Sequence, residues 1–326
     1  MSPTSPTAGV AYSVIGLLIA GTIVRLSTLQ DRTSPVSRKR IASLLSWWIV
    51  AAWVLLAAMG GRVIASVLFA IVSSLAFREY ASLASLKENG LRRGSDETQG
   101  YTGGSTGAAC GFGLLQTVGY LAITASYAGL AIGLGGLWLA SIPLAVVLFS
   151  CVLFAEKTEL ANFTHRASQV VYGVLLTCSL PACSLLLSDP VDATFTGLFL
   201  MVIGLTEWND ILAAWVGRVI GKTKLAPVIS PNKTVEGFVG GVVGTVATAA
   251  FLGPWLTSFN MTTSVSIGFA IALAGTLGDL NMSAIKRAAG VKDSGALLPG
   301  QGGILDRIDS LTFSAPVTLL ILELTR

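Results

Sequence analysis

The residues best equipped for chemistry lie toward the C-terminal end of the chain. Asp279 closes the run Thr276-Leu277-Gly278-Asp279, and a helix continuing from it carries Asp279, Ser283 and Lys286 on one face through their four- and three-residue spacing. Arg287 follows, then Lys292-Asp293, the turn Pro299-Gly300-Gln301-Gly302-Gly303, and Asp306-Arg307-Ile308-Asp309. Carboxylates in oxygen-rich, sulfur-free surroundings suit Mg²⁺, which commonly takes one or two carboxylates plus substrate phosphates. The neighbouring Lys and Arg side chains would hold phosphate charge that the ion leaves unbalanced, and a glycine-rich turn lets backbone approach an anion closely. The same acids and bases also read as interfacial ion pairs, which occur in purely structural networks.

A second cluster is Ser230-Pro231-Asn232-Lys233-Thr234, followed by Glu236-Gly237 and an apolar run. Hydroxyls, a lysine and the free N–H groups that open a helix form a phosphate cradle. A plain helix cap with an interfacial lysine is the alternative. Asp210, emerging from Glu207-Trp208-Asn209, adds an acid on the same face. His165 is the one histidine and lies outside both clusters, which excludes histidine triads and multi-histidine zinc sites. Phosphate chemistry driven by a metal and cations needs no histidine.

The elements that position these residues follow from composition. Of 326 residues 53% are hydrophobic and 12% charged, against roughly 25% charged in a typical soluble domain. So few charges cannot coat a water-soluble globule. The apolar residues form long runs rather than amphipathic patterns, and runs of about 18 or more are long enough to cross a bilayer as helices. In lipid the backbone must pair within each segment, so the fold class expected is all-α: a polytopic membrane protein of about ten transmembrane helices. The spans fall near 9–26, 41–58, 63–78, 108–127, 132–154, 169–187, 194–209, 237–256, 264–282 and 310–325, with Gly60, Gly61 and Arg62 dividing the second from the third. The first run lacks a basic segment before it and a small-residue cleavage site after it, and is expected to remain as a span.

Residues 1–200 form an N-terminal set of helices, and 201–326 a C-terminal catalytic region with cytoplasmic loops. Segment 88–107, rich in Gly, Ser and Thr, reads as a flexible loop without chemistry. If Arg38, Lys39 and Arg40 are cytoplasmic, one alternating path places nearly every other basic residue inside as well, Lys233, Lys286 and Arg307 among them. The expected location is therefore the cytoplasmic membrane, with the site facing the cytoplasm. Membrane topology also accounts for the net charge of +4, so no nucleic-acid partner is expected. Cys110, Cys151, Cys178 and Cys183 lie in or beside apolar runs and read as packing residues.

The stretch Ser283-Ala284-Ile285-Lys286-Arg287, then Lys292-Asp293-Ser294-Gly295, then Leu298-Pro299-Gly300-Gln301-Gly302-Gly303-Ile304-Leu305-Asp306-Arg307-Ile308-Asp309-Ser310 resembles the signature of the phosphatidate cytidylyltransferase (CDP-diacylglycerol synthase) family. The segment from Asp210 through Gly217-Arg218 and Gly221-Lys222 to Ser230–Gly237 is similar to the family's other well-marked region. The resemblance is strong over roughly 205–315 and only one of hydropathy before that. It implies an enzyme that condenses CTP with phosphatidic acid, with Mg²⁺, alone or beside a second metal ion, to give CDP-diacylglycerol and pyrophosphate, and it implies a homodimer. Carried over residue by residue, it gives Asp279, Asp306 and Asp309 to the metal, and Lys286, Arg287 and Arg307 to the phosphates. Ser230, Lys233 and Thr234 go to the nucleotide or lipid phosphate, and Asp210, Lys292, Asp293 and Gln301 complete the substrate site. Three positions depart from the family: Gln301 stands for the usual His, Met282 for Glu and Ala296 for Asn. Gln cannot titrate, and the carboxylate absent at Met282 would stand three residues from Asp279, on its helical face. The rival classes are a membrane transporter and a CTP-using enzyme acting on another lipid, such as a lipid kinase.

Overall fold

A computed structural model describes residues 6–27, 35–96, 106–135, 138, 141–142, 145, 169–175, 179–187 and 193–325, and these are mostly helical. The elements are α1 (Pro6–Ser27), α2 (Pro35–Asp96), α3 (Thr106–Ala131), α4 (Pro181–Leu185), α5 (Ala193–Ile220), β1 (Lys224–Ala226), β2 (Ser230–Thr234), α6 (Val235–Leu256), α7 (Met261–Ala288), α8 (Leu305–Ile308) and α9 (Leu311–Thr325). Among the described residues four helices are long and apolar enough to cross a membrane: Ile41–Ser85, Phe195–Ile220, Val235–Leu256 and Met261–Ala288. The chain is a helical membrane protein. The span expected over 132–154 lies largely outside the described residues, as do His165, Cys151 and Cys178, whereas 169–187 is described except for 176–178, with helix at 169–175 and Pro181–Leu185. Cys183 is buried and unbridged.

α2 is two helices in one. Gly61 sits at φ 66°, ψ −166°, a region that residues with a Cβ rarely enter. Ser46 donates to the carbonyl of Pro299 and Glu79 accepts the N–H of Ile304. Residues well before and well after Gly61 thus grip the same loop, so the two arms fold back on each other. That matches the expected separation of spans 41–58 and 63–78. The second arm runs further than expected, through Asp96, because Leu, Lys, Glu and Arg sustain helix beyond residue 86.

Two other helices also outrun their expected spans. α5 continues past 209 to Ile220 and α7 past 282 to Ala288. At 28 residues each, both measure about 42 Å against a hydrocarbon core of about 30 Å. The extra turns are amphiphilic, and Arg218, Lys286 and Arg287 in the last turns complement the carbonyl end of the helix dipole. The expectation of an all-α fold needs one correction: β1 and β2 pair antiparallel, Lys224 opposite Thr234 and Ala226 opposite Ser230. Thr223, just before β1, accepts the N–H of Val235 on its carbonyl, so the short connection between α5 and α6 closes as a hairpin.

α5 packs along α6, α6 along α7, and α7 along α9. Close approach is possible because Gly237, Gly240 and Gly244 on α6 face Ala213, Val216 and Leu212 on α5, where a Cβ would collide, and Gly241 lies tight against Ala213 and Asn209. Small residues at such spacing are how helices approach in lipid, with buried polar groups adding interhelical hydrogen bonds. Asn209 of α5 donates to Thr276 of α7 at 3.2 Å and accepts from Thr245 of α6 at 3.3 Å. Thr206 meets Ser314 of α9 at 2.8 Å. These contacts fix the rotation of four helices and set Asp210 and Asp279 on facing sides.

Candidate active site

Lys233 is fixed first by its own strand. Thr234 ends β2 and N-caps α6, its side chain accepting the N–H of Gly237 at 3.1 Å. Glu236 accepts the N–H groups of Lys222 and Thr223 at 3.0 and 3.1 Å. The hairpin is thereby held on the start of α6, and Lys233 reaches across it to Asp279 of α7 at 2.5 Å. The two clusters read from the sequence are therefore one site. Thr234 has the capping role; Ser230 lies at the start of β2.

Asp279 also accepts from Ser283 at 3.3 Å, one turn on. Asp309 arrives against α7 because Gly278 leaves no Cβ to meet its carbonyl. Asp309 accepts the N–H of Ser310 at 2.8 Å, and the Ser310 hydroxyl donates to Asp210 at 2.9 Å. Asp210, Asp279 and Asp309 interact electrostatically with one another, with Lys233, Lys286 and Arg307 nearby. Burial, and then the charge of Asp279, push the Asp309 carboxyl up to about 8. The positive charge of Lys286 opposes this shift without outweighing it.

Asp306 is differently placed. Lys286 pairs with one of its oxygens at 2.6 Å, and the other accepts the N–H groups of Ser294 and Gly303 at 2.9 and 3.0 Å. Burial opposes its ionisation, but these donors outweigh burial and hold the carboxyl below its ordinary value. Gly302, at φ 91°, allows the turn, and a Cβ there would crowd the Asp306 carboxylate. Breaking one side of such a buried pair costs about 3–5 kcal/mol.

The remaining expected residues spread outward. Arg287 donates to the carbonyls of Ile229 and Val291 at 3.3 and 3.4 Å, tying the hairpin turn to the end of α7. Lys292 and Asp293 are exposed on the loop that follows. Gln301 donates to the carbonyl and hydroxyl of Ser43, so it anchors the loop to α2. Met282 is fully buried in an apolar cluster with Phe77, Leu305 and Ile308. Three residues on from Asp279, it stands about 60° round the helix from that carboxylate, and its side chain packs into the core.

Glu79 was not singled out in the sequence. It is buried on α2 and accepts from Ser294, Ile304 and Leu305. The available signal was an acid at the edge of an apolar run, a position that is costly without partners. An apolar cleft lies beside the site between α2, α5 and the loop, lined by Trp53, Phe69, Val72, Ile203 and Leu311, with Glu207 and Arg307 its charged residues.

Long apolar helices that gather buried acids against lysines and an arginine make a membrane protein suited to phosphate chemistry. Residues 40–325 match the model of the "Cytidylyltransferase family", and the chain belongs to that family; it is a nucleotidyltransferase. It is 32% identical over 308 residues to "Uncharacterized protein YnbB" of Escherichia coli (strain K12), covering 94% of each chain. It is 45% identical over 125 residues to the "Phosphatidate cytidylyltransferase" of Staphylococcus aureus (strain COL), covering 37% of this chain and 46% of that one. With the enzyme of that name from Staphylococcus saprophyticus it shares 44% over 127 residues, 38% of this chain and 48% of the other. The alignments with these phosphatidate cytidylyltransferases thus span just under half of their length.

Proposed function

We propose that the protein transfers CMP from CTP to phosphatidic acid, forming CDP-diacylglycerol and pyrophosphate at the cytoplasmic face of the cell membrane. The observation that carries this is the junction of Lys233 and Asp279 beside Asp309 and Asp210, four residues from β2, α7, α5 and the turn before α9. An oxygen of the lipid phosphate attacks the α-phosphorus of CTP, the bond from that phosphorus to the bridging oxygen breaks, and pyrophosphate leaves. Two anions must approach each other, so the site must neutralise charge before the bond forms.

Among the described residues no three Asp, Glu, Cys or His side chains are gathered as ligands for an ion. Mg²⁺ needs only one or two carboxylates when phosphates and water supply the rest, and Asp279 with Asp309 meets that need, Asp210 standing behind them. When bound, the ion supplies Lewis-acid stabilisation of the phosphoryl oxygens. Asp306 joins such a set only by releasing Lys286, so its proposed part is to organise the loop. Lys233, released from Asp279, holds triphosphate oxygens, and Arg307 holds the lipid phosphate at the mouth of the apolar cleft, whose walls receive acyl carbons. Lys286, beside Asp309, adds positive charge, and Arg287 steadies the hairpin that carries Lys233.

A transporter would place its polar site near mid-bilayer. Asp279 instead meets Lys233 of the hairpin that joins α5 to α6, a connection outside the long helices, which favours surface chemistry. Purified protein given CTP, phosphatidic acid and Mg²⁺ should form CDP-diacylglycerol. Asp279→Asn and Asp309→Asn should each abolish turnover with detergent stability near normal, and full activity in either variant would refute the assigned roles.

A further inference from the structure

We propose that Glu79 is a positioning residue for the reaction loop, acting from α2 on the segment that presents Asp306, Arg307 and Asp309. This rests on the transferase reading above for its consequence in turnover but not for its consequence in structure. Glu79 is buried, and among the described residues its carboxylate takes its hydrogen bonds from Ser294, Ile304 and Leu305. One carboxylate oxygen accepts the N–H of Ile304 at 3.1 Å, and the other accepts the N–H of Leu305 and the hydroxyl of Ser294, both at 2.9 Å. Ser294 in turn donates its own N–H to Asp306, as does Gly303. A continuous chain therefore runs from Glu79 through Ser294 to Asp306 and Lys286.

The loop is shaped to receive this carboxylate. A Cβ at Gly295 or at Gly303 would collide with it. Leu305, one of the two residues whose N–H it accepts, directly precedes Asp306, so the accepted bonds set the direction in which Asp306 and Arg307 leave the backbone. An isosteric Gln cannot substitute, because both carboxylate oxygens face donors. Whichever way the amide is turned, its NH₂ meets Ile304 on one side or Leu305 and Ser294 on the other. The aromatic residues on either side of Glu79, Phe77 and Tyr80, lie in the apolar cluster that also holds Leu305 and Ile308, so the arm remains docked when the carboxylate changes.

The test compares the full-length protein with Glu79→Gln and Ser294→Ala in one detergent, by hydrogen–deuterium exchange and by CMP-transfer kinetics with CTP and phosphatidic acid. In Glu79→Gln the amides of 303–306 should exchange about 10-fold faster, the loss of local protection that goes with a broken hydrogen bond, while α5, α6 and α7 keep their protection. The kcat should fall about 100-fold, the scale of a misplaced reacting group, with KM for CTP changed less than about threefold. Ser294→Ala, which removes one link only, should move both readouts the same way by less, and it decides the matter should Glu79→Gln not fold. Unchanged exchange at 303–306, protection lost throughout α5–α7, or full kcat would each overturn the proposal. Were the wild-type protein to transfer no CMP, the transferase reading would fall, and faster exchange confined to 303–306 would still support the positioning role.

Discussion

Lys233 is the side chain on which substrate charge and protein charge compete. It sits 2.5 Å from Asp279, and each is about a quarter exposed, so the pair can open toward a phosphate. Lys233→Ala should lower kcat/KM for CTP by about 100–1,000-fold, as loss of one preorganised charge donor does, and a steady-state assay checks it. Asp309 makes a prediction in pH. Its folded value, about 8, stands above the unfolded value of about 3.9, so the ion-free protein takes up a proton on folding. That contribution is fully present below about 4 and is lost as pH rises through about 8. Thermal midpoints without divalent ions should therefore fall between pH 6 and 9, and Mg²⁺ should stabilise more at pH 9 than at pH 6. An equal Mg²⁺ effect at both would remove Asp309 from the ion. Spacing alone made Asp279, Ser283 and Lys286 legible as one face. Glu79 was not legible, because its partners stand 215 to 226 residues away and no local pattern records them.

The elements place these groups by close approach more than by long contacts. Gly278 lets the Asp309 backbone lie on α7, and a Cβ would meet that carbonyl. Gly278→Ala should cost about 1–3 kcal/mol, the usual penalty of overpacking, and most of the activity. Gly204→Ala, where an added Cβ meets nothing, should change stability by less than about 1 kcal/mol, the scale of helix propensity. Denaturation in detergent separates the two. The apolar runs gave the helices of the C-terminal region and the division of α2 at Gly61. They did not give the extra turns of α5 and α7, since hydropathy stops at the lipid boundary whereas helix propensity does not. The β1–β2 hairpin was hidden for a related reason. Ser230-Pro231-Asn232-Lys233-Thr234 has no strand-like alternation, and it is extended because Thr223, Glu236 and the Thr234 cap hold one end while Ala226 pairs with Ser230 at the other.

At the scale of the whole molecule, the reading requires one sidedness. The positive residues of 218–233 and 286–307 should share the cytoplasmic side. Val228 at the hairpin turn is 87% exposed, so Val228→Cys in right-side-out vesicles should resist an impermeant maleimide and react once the vesicles are inverted. The family match over residues 40–325 extends far beyond the motifs that made the family legible at 205–315. Within it, the N-terminal arms act on the reaction loop through Ser43, Ser46 and Glu79, which hydropathy could not disclose. The decisive measurement follows the two ends of one nucleotide: purified protein, Mg²⁺ and phosphatidic acid are given CTP labelled at either the α- or the γ-phosphorus. The α-label should appear in the lipid and the γ-label in pyrophosphate. A γ-labelled lipid with released CDP, or label in neither product, would contradict cytidylyl transfer to phosphatidic acid.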